Sequence, residues 1–121
     1  MSALSFKKQF AQEVASGRKC QTIRALRNRP IKQGEKLYLY TGMRTKGCRK
    51  LKETVCKRVR HVRIFEGMDP NTYVISVDGK LASDIECVRL AVADGFVSVN
   101  GLIDFFREQH GLPFEGHVIN W

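Results

Sequence analysis

Long apolar stretches are missing from this chain of 121 residues. No run approaches the roughly 20 apolar residues that a membrane-spanning helix needs. The first ten residues carry Lys7 and Lys8 and lack the apolar segment of a secretory signal. These absences exclude a helical membrane protein and predict a cytoplasmic one.

Closely spaced cysteine pairs are missing as well. Cys20, Cys48, Cys56 and Cys87 are too far apart in sequence for a zinc knuckle or a redox motif. Cys48 and Cys56 could meet His61 around a metal, but without a short-spaced pair ordinary reduced thiols are the favoured interpretation. The sequence therefore predicts no metal site and no cofactor.

Acidic residues are scarce in the middle of the chain. Residues 18–63 hold sixteen Lys and Arg but only Glu35 and Glu53, a net charge of +14, whereas residues 64–121 carry −6. A phosphate backbone rewards clustered cations through counterion release. This block favours a nucleotide or polyanion partner, and the alternative is a basic surface that maintains solubility.

Length and hydropathy patterning predict one α+β domain over residues 1–121. An apolar stripe at Phe6, Phe10 and Val14 predicts a first helix, and two more helices are expected near 85–93 and 98–110. Ile85, Val88 and Val92 are expected to mark the second helix. Strands are predicted at 22–26, 37–40, 53–65, 73–77 and 114–121.

The long β-type segment at 53–65 changes its apolar phase. Val55 and Val59 lie on one parity and Val62 and Ile64 on the other, which predicts a bulge near Arg60. Bulges of this kind occur in small barrels, so the expected architecture is a small mixed β-barrel flanked by helices. A turn is expected at 68–71.

Residues 17–24, with the sequence GRKCQTIR, hold the best candidate site. On an extended segment Thr22 and Arg24 point the same way, and Lys19 lies just upstream. An amine, a hydroxyl and a guanidinium could then bind a phosphate or a carbonyl oxygen, or activate the threonine. The alternative is an ordinary surface cluster of polar residues.

Two further groups are candidates for ligand binding. Tyr40 lies on a predicted strand and could stack on a base, or its ring could pack against a helix. The basic residues that follow form a candidate phosphate track, with a mobile solvated loop as the alternative. They are Arg44, Lys46, Arg49, Lys50 and Lys52, of which the first four are the candidate ligand-binding residues.

The run 17–24 resembles the G-x-K-x-x-T-x-R signature of the ASCH domain family, a branch of the PUA-like β-barrels. The order of later features is similar too: a turn at Gly34, the strand at 37–40, and a block at 90–96 that contains Asp94-Gly95-Phe96. The likeness extends to Phe105-Phe106 and a terminal strand ending at Trp121. It covers nearly the whole chain and suggests a small single-domain member of bacterial or phage type.

This resemblance implies a small barrel with a cleft that binds RNA or a nucleotide-derived ligand. Some small family members are amidohydrolases that deacylate N4-acylcytidine with a Lys, a Thr and an acidic residue. The matching positions here are Lys19, Thr22 and Asp94, with Arg24 as a ligand-binding or oxyanion-stabilising residue. The family pattern has Glu at the acidic position, so Asp94 is one methylene shorter.

The resulting hypotheses belong to different classes. Binding of RNA, a nucleoside or a nucleotide is the leading one, since the basic stretch 44–52 favours a phosphate-bearing ligand. Deacylation of N4-acylcytidine, with Thr22 as nucleophile and Lys19 as base, is the alternative. A ribonuclease ranks third, because no histidine pair stands at a suggestive spacing in the sequence.

Overall fold

A computed structural model describes residues 1–69 and 72–121 of the chain. Its helices are α1 Lys8–Ala15, α2 Asp84–Ala93 and α3 Val99–Gln109. Its strands are β1 Ser2–Phe6, β2 Gln21–Ala25, β3 Lys36–Thr41, β4 Arg49–Val55, β5 Arg58–Glu66, β6 Tyr73–Val77, β7 Lys80–Leu81 and β8 Phe114–Asn120. The α+β class is therefore confirmed. The turn expected at 68–71 includes Pro70 and Asn71, which lie outside the described residues.

The strands form two sheets, ordered β1-β3-β4 and β2-β8-β5-β6-β7. No ladder among the described residues joins their edges, so neither sheet closes into the expected barrel. The chain crosses between them at a corner, where the Cys56 N–H donates to the Glu35 carbonyl and the Lys57 N–H to the Asn120 carbonyl, both at 2.8 Å. Consecutive residues are thus bonded to different sheets, and the sheets meet at an angle.

This corner also corrects the prediction for residues 53–65. The segment is two strands, β4 and β5, and the ladder between β5 and β8 runs from Arg58 to Ile64 with no bulge at Arg60. The apolar phase changes because Val59 packs against one core and Val62 against the other. The one register shift in these ladders lies in the β3–β4 pair, at Leu39/Tyr40.

Strand β1 was not expected from the sequence. The spacing of Phe6 from Phe10 and Val14 is that of a helical stripe, and for this reason the sequence places Phe6 in the first helix. In the structure Phe6 is the last residue of β1, and α1 begins at Lys8. Strand β1 pairs in parallel with β3, from Ser2↔Leu37 to Phe6↔Thr41. This pairing places the start of α1 beside the loop that follows β3.

Each sheet has its own buried core. Helix α1 covers the three-stranded sheet, where Phe10 and Val14 pack with Leu37 and Leu39. Helices α2 and α3 cover the five-stranded sheet, and Phe106 is among the side chains fully buried there. Within residues 1–69 and 72–121 no helix is long and apolar enough to cross a membrane.

The face that α2 buries differs from the expected one. Ile85, Val88 and Val92 are 60%, 48% and 57% exposed, while Leu90 and its neighbours face the sheet. The buried residues Cys87, Leu90 and Ala91 form a second apolar stripe at i, i+3 and i+4, and this stripe faces the core. The Gln21 side-chain amide also donates to the Leu90 carbonyl at 3.2 Å and ties this helix to β2.

Several helix ends agree with the sequence. Ser98 caps α3, and its hydroxyl accepts from the Gly101 N–H at 3.1 Å. Asp94 is the C-cap of α2, followed by Gly95 at φ 97°. The Phe96 N–H donates to the Ala91 carbonyl and the Gly95 N–H to the Val92 carbonyl, which makes this end a Schellman motif.

Candidate functional site

Strand β2 brings Thr22 and Arg24 onto one face, as the sequence predicts. The Arg24 Nε–H donates to the Thr22 hydroxyl at 3.0 Å, and its Nη2 donates to the Ser5 carbonyl at 2.7 Å. The guanidinium carbon also lies 4.8 Å from the centroid of the Phe6 ring. Arg24 is thus held in one orientation by two hydrogen bonds and a cation–π contact.

Lys19 and Asp94 meet at the junction of β2 and α2. The Lys19 ammonium donates to the backbone carbonyl of Asp94 and lies 3.5 Å from its Oδ1. The Gln21 amide donates to the same carboxyl oxygen at 3.3 Å. The shorter aspartate therefore reaches Lys19, partly because the Schellman turn holds the backbone of residue 94 against it.

This pair is removed from water almost entirely. Lys19 is 3% exposed and Asp94 is 5% exposed, and the Lys19 ammonium lies 5.0 Å from the centroid of the Phe10 ring. A buried ion pair repays its desolvation only when further hydrogen bonds satisfy both groups. Here Gln21 and the Asp94 carbonyl supply those bonds.

Burial governs the pKa values of the cluster. It lowers the pKa of Lys19, and the nearby Asp94 carboxylate only partly offsets this. It raises the pKa of Asp94 to about 6, against the opposing effects of Lys19 and Gln21. Burial also lowers the pKa of Arg24 to about 10. All three charged forms are disfavoured by desolvation, as in sites that bind or transform ligands.

These side chains line a cavity of about 200 Å³. Lys19, Thr22, Arg24 and Asp94 contribute its polar wall. Aromatic rings line much of the remainder, namely Phe6, Phe10, Phe105, Phe106 and His110, and the other lining residues are Ser5, Lys7, Ile23, Ala25 and Gln109. The cavity is small beside the 300–1,000 Å³ typical of drug-sized ligands. Its volume and its lining are compatible with one planar ring that has a polar edge.

A second, larger cavity adjoins the first. This groove, of about 620 Å³, shares Ser5, Phe6 and Lys7 with the small cavity and continues along α1, β4 and the loop 42–48. Lys8 and Arg49 also line it. Neither Lys7 nor Lys8 was a candidate from the sequence, because β1 was not foreseen and its pairing with β3 brings them there.

The predicted phosphate track is divided by the structure. Arg49 lines the groove. Arg44 and Lys46 are exposed on the loop and do not line it. The loop residues that line the groove alternate with them and include Met43, Thr45 and Gly47.

Tyr40 and Lys50 lie opposite one another in the β3–β4 register and line neither cavity. Lys50 is paired with Glu53 at 3.0 Å. Tyr40 and Lys50 are therefore separate from the cluster that contains Lys19, Thr22, Arg24 and Asp94.

The structure also brings two histidines together. His61 and His117 are directly opposite in the β5–β8 ladder, with ring centroids 6.1 Å apart, and the His61 Nε2 lies 2.5 Å from Glu115 Oε2. Their separation by 56 residues conceals this pair in the sequence, although two predicted antiparallel strands could have suggested it. In the described part of the chain no three His, Cys, Asp or Glu residues could hold a metal ion.

Comparisons with known proteins leave the family open, since no family model, no curated protein and no solved structure matches this chain.

Proposed function

We propose that this chain is an ASCH-like, PUA-like domain that binds RNA or a nucleotide-derived ligand in the cavity beside β2. The observation that carries the proposal is the meeting of Lys19, Thr22 and Arg24 on the polar wall of a cavity whose lining includes several aromatic rings. A nucleobase has an apolar face and polar edges, and both find complements there.

Buried polar groups give such a cavity selectivity. Lys19 already bonds Asp94 and the Thr22 hydroxyl already accepts from Arg24, and the two residues are only 3% and 5% exposed. A ligand therefore gains most when it places acceptor atoms at their remaining donor hydrogens. Arg24 is already oriented by Thr22 and Ser5, and binding would cost little further ordering of its side chain. The site thus favours a ligand with several acceptor atoms near a planar ring.

The PUA-like part of the proposal concerns the sheets. Ile119 and Trp121, at the end of the five-stranded sheet, pack in the core of the three-stranded sheet. Phe6 of that smaller sheet meets Trp121 edge to face, with ring centroids 5.7 Å apart. We interpret the two sheets as an open form of the barrel that the family resemblance implies.

Equilibrium binding of short single-stranded RNA and of the four ribonucleosides tests the proposal. Arg24→Met removes a charged donor from the cavity and should weaken binding by roughly 10- to 100-fold. Arg18→Met is the matched control, because Arg18 is exposed and paired with Glu13 at 2.9 Å. Circular dichroism establishes that both variants are folded.

The outcome separates the hypotheses. Weak binding by folded Arg24→Met, with Arg18→Met unchanged, supports the cavity as the site. If wild-type protein binds none of the probes, or if both variants bind equally well, the cavity proposal is wrong. The RNA recovered from the assay also tests the third-ranked function, since a ribonuclease would return shortened strands.

The burial of Lys19 favours deacylation of N4-acylcytidine as a second candidate. Burial lowers the pKa of Lys19, and a neutral amine could accept the Thr22 hydroxyl proton. The Thr22 oxygen would attack the acyl carbon, the bond to the exocyclic nitrogen would break, and that nitrogen would take the proton. Water would then release the carboxylic acid from Thr22. Lys19 now bonds Asp94, so this step requires it to leave that carboxyl.

Acid release from N4-acetylcytidine tests this candidate. Thr22→Ala should abolish turnover because the nucleophile is lost, whereas Thr22→Ser should retain part of it because a hydroxyl remains. Equal turnover in wild type and Thr22→Ala would remove Thr22 from the mechanism. Absence of turnover in folded wild-type protein would leave binding as the function of the cavity.

A further inference from the structure

The groove beside the cavity has an unusual balance of charge. Lys7, Lys8 and Arg49 line it, and none of its lining residues is acidic. In the cavity beside β2, and in two further recesses of which one holds Arg60 with Arg89 and the other Arg63, a carboxylate accompanies the cations. These carboxylates belong to Asp94, Glu86 and Glu115. The groove is therefore a recess where positive charge has no partner within the described chain.

The three cations come from separate parts of the sequence. Lys7 is the N-cap of α1 and Lys8 is its first residue, whereas Arg49 begins β4 after the loop 42–48. None of them forms an ion pair with another described residue. The parallel β1–β3 pair and the antiparallel β3–β4 pair bring both segments to one end of the small sheet. The recess is thus built by the fold.

The groove adjoins the cavity, so one ligand could contact both. Lys7 lines both spaces, and Ser5 and Phe6 are common walls. Because the two spaces share these lining residues, a ligand whose ring occupies the cavity could place an attached group in the groove. The cavity provides aromatic walls, whereas the groove provides uncompensated cations and the small residues Gly42 and Gly47.

We infer that the ligand carries a phosphate, and that Lys8 and Arg49 bind it in the groove while the base occupies the cavity. The inference rests on the proposed function and narrows it from nucleosides in general to nucleotides. Arginine can bind phosphate oxygens in a bidentate manner, and lysine provides a compact charge. The phosphate belongs either to a free mononucleotide or to an RNA strand.

Calorimetric titrations with each ribonucleoside, its 5′-monophosphate and a short single-stranded RNA test the inference. Wild-type protein should bind a monophosphate at least about tenfold more tightly than the parent nucleoside, since charged hydrogen bonds are the stronger ones. The ratio should fall as salt rises from about 50 mM to 200 mM. The double variant Lys8→Ala/Arg49→Ala should bring the ratio close to one without changing affinity for the nucleoside.

A charge-matched control separates local contacts from net charge. Lys32→Ala/Lys80→Ala removes two exposed lysines, one before β3 at the far end of the small sheet and one on β7. This control should keep the full preference for the monophosphate. If it loses the preference as fully as the groove variant does, the effect is one of net charge and the inference is overturned.

The remaining outcomes distinguish the two proposals. If nucleoside and monophosphate bind wild type equally, the groove inference fails while the cavity proposal stands. If monophosphates bind through Lys8 and Arg49 but nucleosides do not bind at all, the assignment of the phosphate to the groove stands, while the cavity proposal and the placement of the base in it fail. If only RNA binds, and the groove variant weakens it, the phosphate is that of a strand.

Discussion

The cavity and the groove contain the same kinds of cation in opposite environments. In the cavity Lys19 is buried and Arg24 is half-buried, and each is held by hydrogen-bond acceptors: Asp94 for Lys19, and Thr22 and Ser5 for Arg24. In the groove Lys8 and Arg49 are exposed and form no ion pair with the described residues. Burial makes the first set part of the fold, whereas exposure leaves the second set available to a ligand.

This difference predicts which property a substitution in each region should change. A buried charge whose partner is removed retains its desolvation cost, so the folded state suffers. An exposed cation in water loses little when it is replaced, so stability hardly changes. Substitutions in the cavity should therefore lower the free energy of unfolding, whereas substitutions in the groove should change ligand affinity.

The largest expected effect is that of Asp94→Ala. It leaves the Lys19 ammonium buried without its carboxylate, and removing one partner of such a pair costs about 3–5 kcal/mol in the free energy of unfolding. Urea denaturation measures this against Asp104→Ala, an exposed acid on α3 that should cost less than about 1 kcal/mol. Equal losses in the two variants would contradict the buried pair.

A double replacement sharpens the same point. Lys19→Met/Asp94→Leu removes both charges and restores apolar volume, which is often neutral or stabilising at buried pairs. The double variant should therefore be more stable than Asp94→Ala. A double variant less stable than Asp94→Ala would show that the pair is not the main source of the loss.

The pH dependence should be of intermediate size. The pKa of Asp94 is raised to about 6 in the folded protein, so the folded state binds a proton there more readily than the unfolded chain. The free energy of unfolding should rise by about 1 kcal/mol as the pH falls from 7 to 5, and this gain is lost as the pH rises through 6.

Asp94→Asn cannot take up that proton and should lack the rise, while Asp104→Asn should retain it. Urea denaturation of wild type and both variants at pH 5 and pH 7 measures the difference. A rise in Asp94→Asn equal to that of wild type would assign the pH dependence to other groups.

The smallest effect on stability should come from the groove. Lys8→Ala and Arg49→Ala should each change the free energy of unfolding by less than about 0.5 kcal/mol, because both side chains are exposed and form no ion pair within the described chain. Thermal unfolding monitored by circular dichroism measures this. A large loss of stability in either variant would remove the contrast between the groove and the cavity.

The candidate site was predictable where one short segment encodes it. Alternation along an extended strand placed Thr22 and Arg24 together, and the glycine after Asp94 marked the end of α2. Both signals depend on local geometry, which a sequence pattern records well. The contact between Lys19 and Asp94, 75 residues apart, followed only from the family resemblance.

The rest depended on tertiary pairing. The groove escaped prediction because Lys8 and Arg49 meet only through two strand ladders, one of them formed by the unexpected β1. Helix α2 carries two apolar stripes, and only tertiary packing decides that Cys87, Leu90 and Ala91 are buried rather than Ile85, Val88 and Val92. The change of apolar parity between Val59 and Val62 suggested a bulge. A regular strand whose two faces contact different cores gives the same sequence pattern as a bulged strand, so the sequence alone does not distinguish them.

The Schellman end of α2 has a consequence for how occupancy can be observed. The Lys19 ammonium that lines the cavity also holds the Asp94 carbonyl at this helix end. A bound base whose acceptor atoms attract Lys19 competes with that carbonyl, so local opening of the helix end is linked to binding. Amide hydrogen exchange at Gly95 and Phe96 would then report, from outside the cavity, whether the cavity is filled.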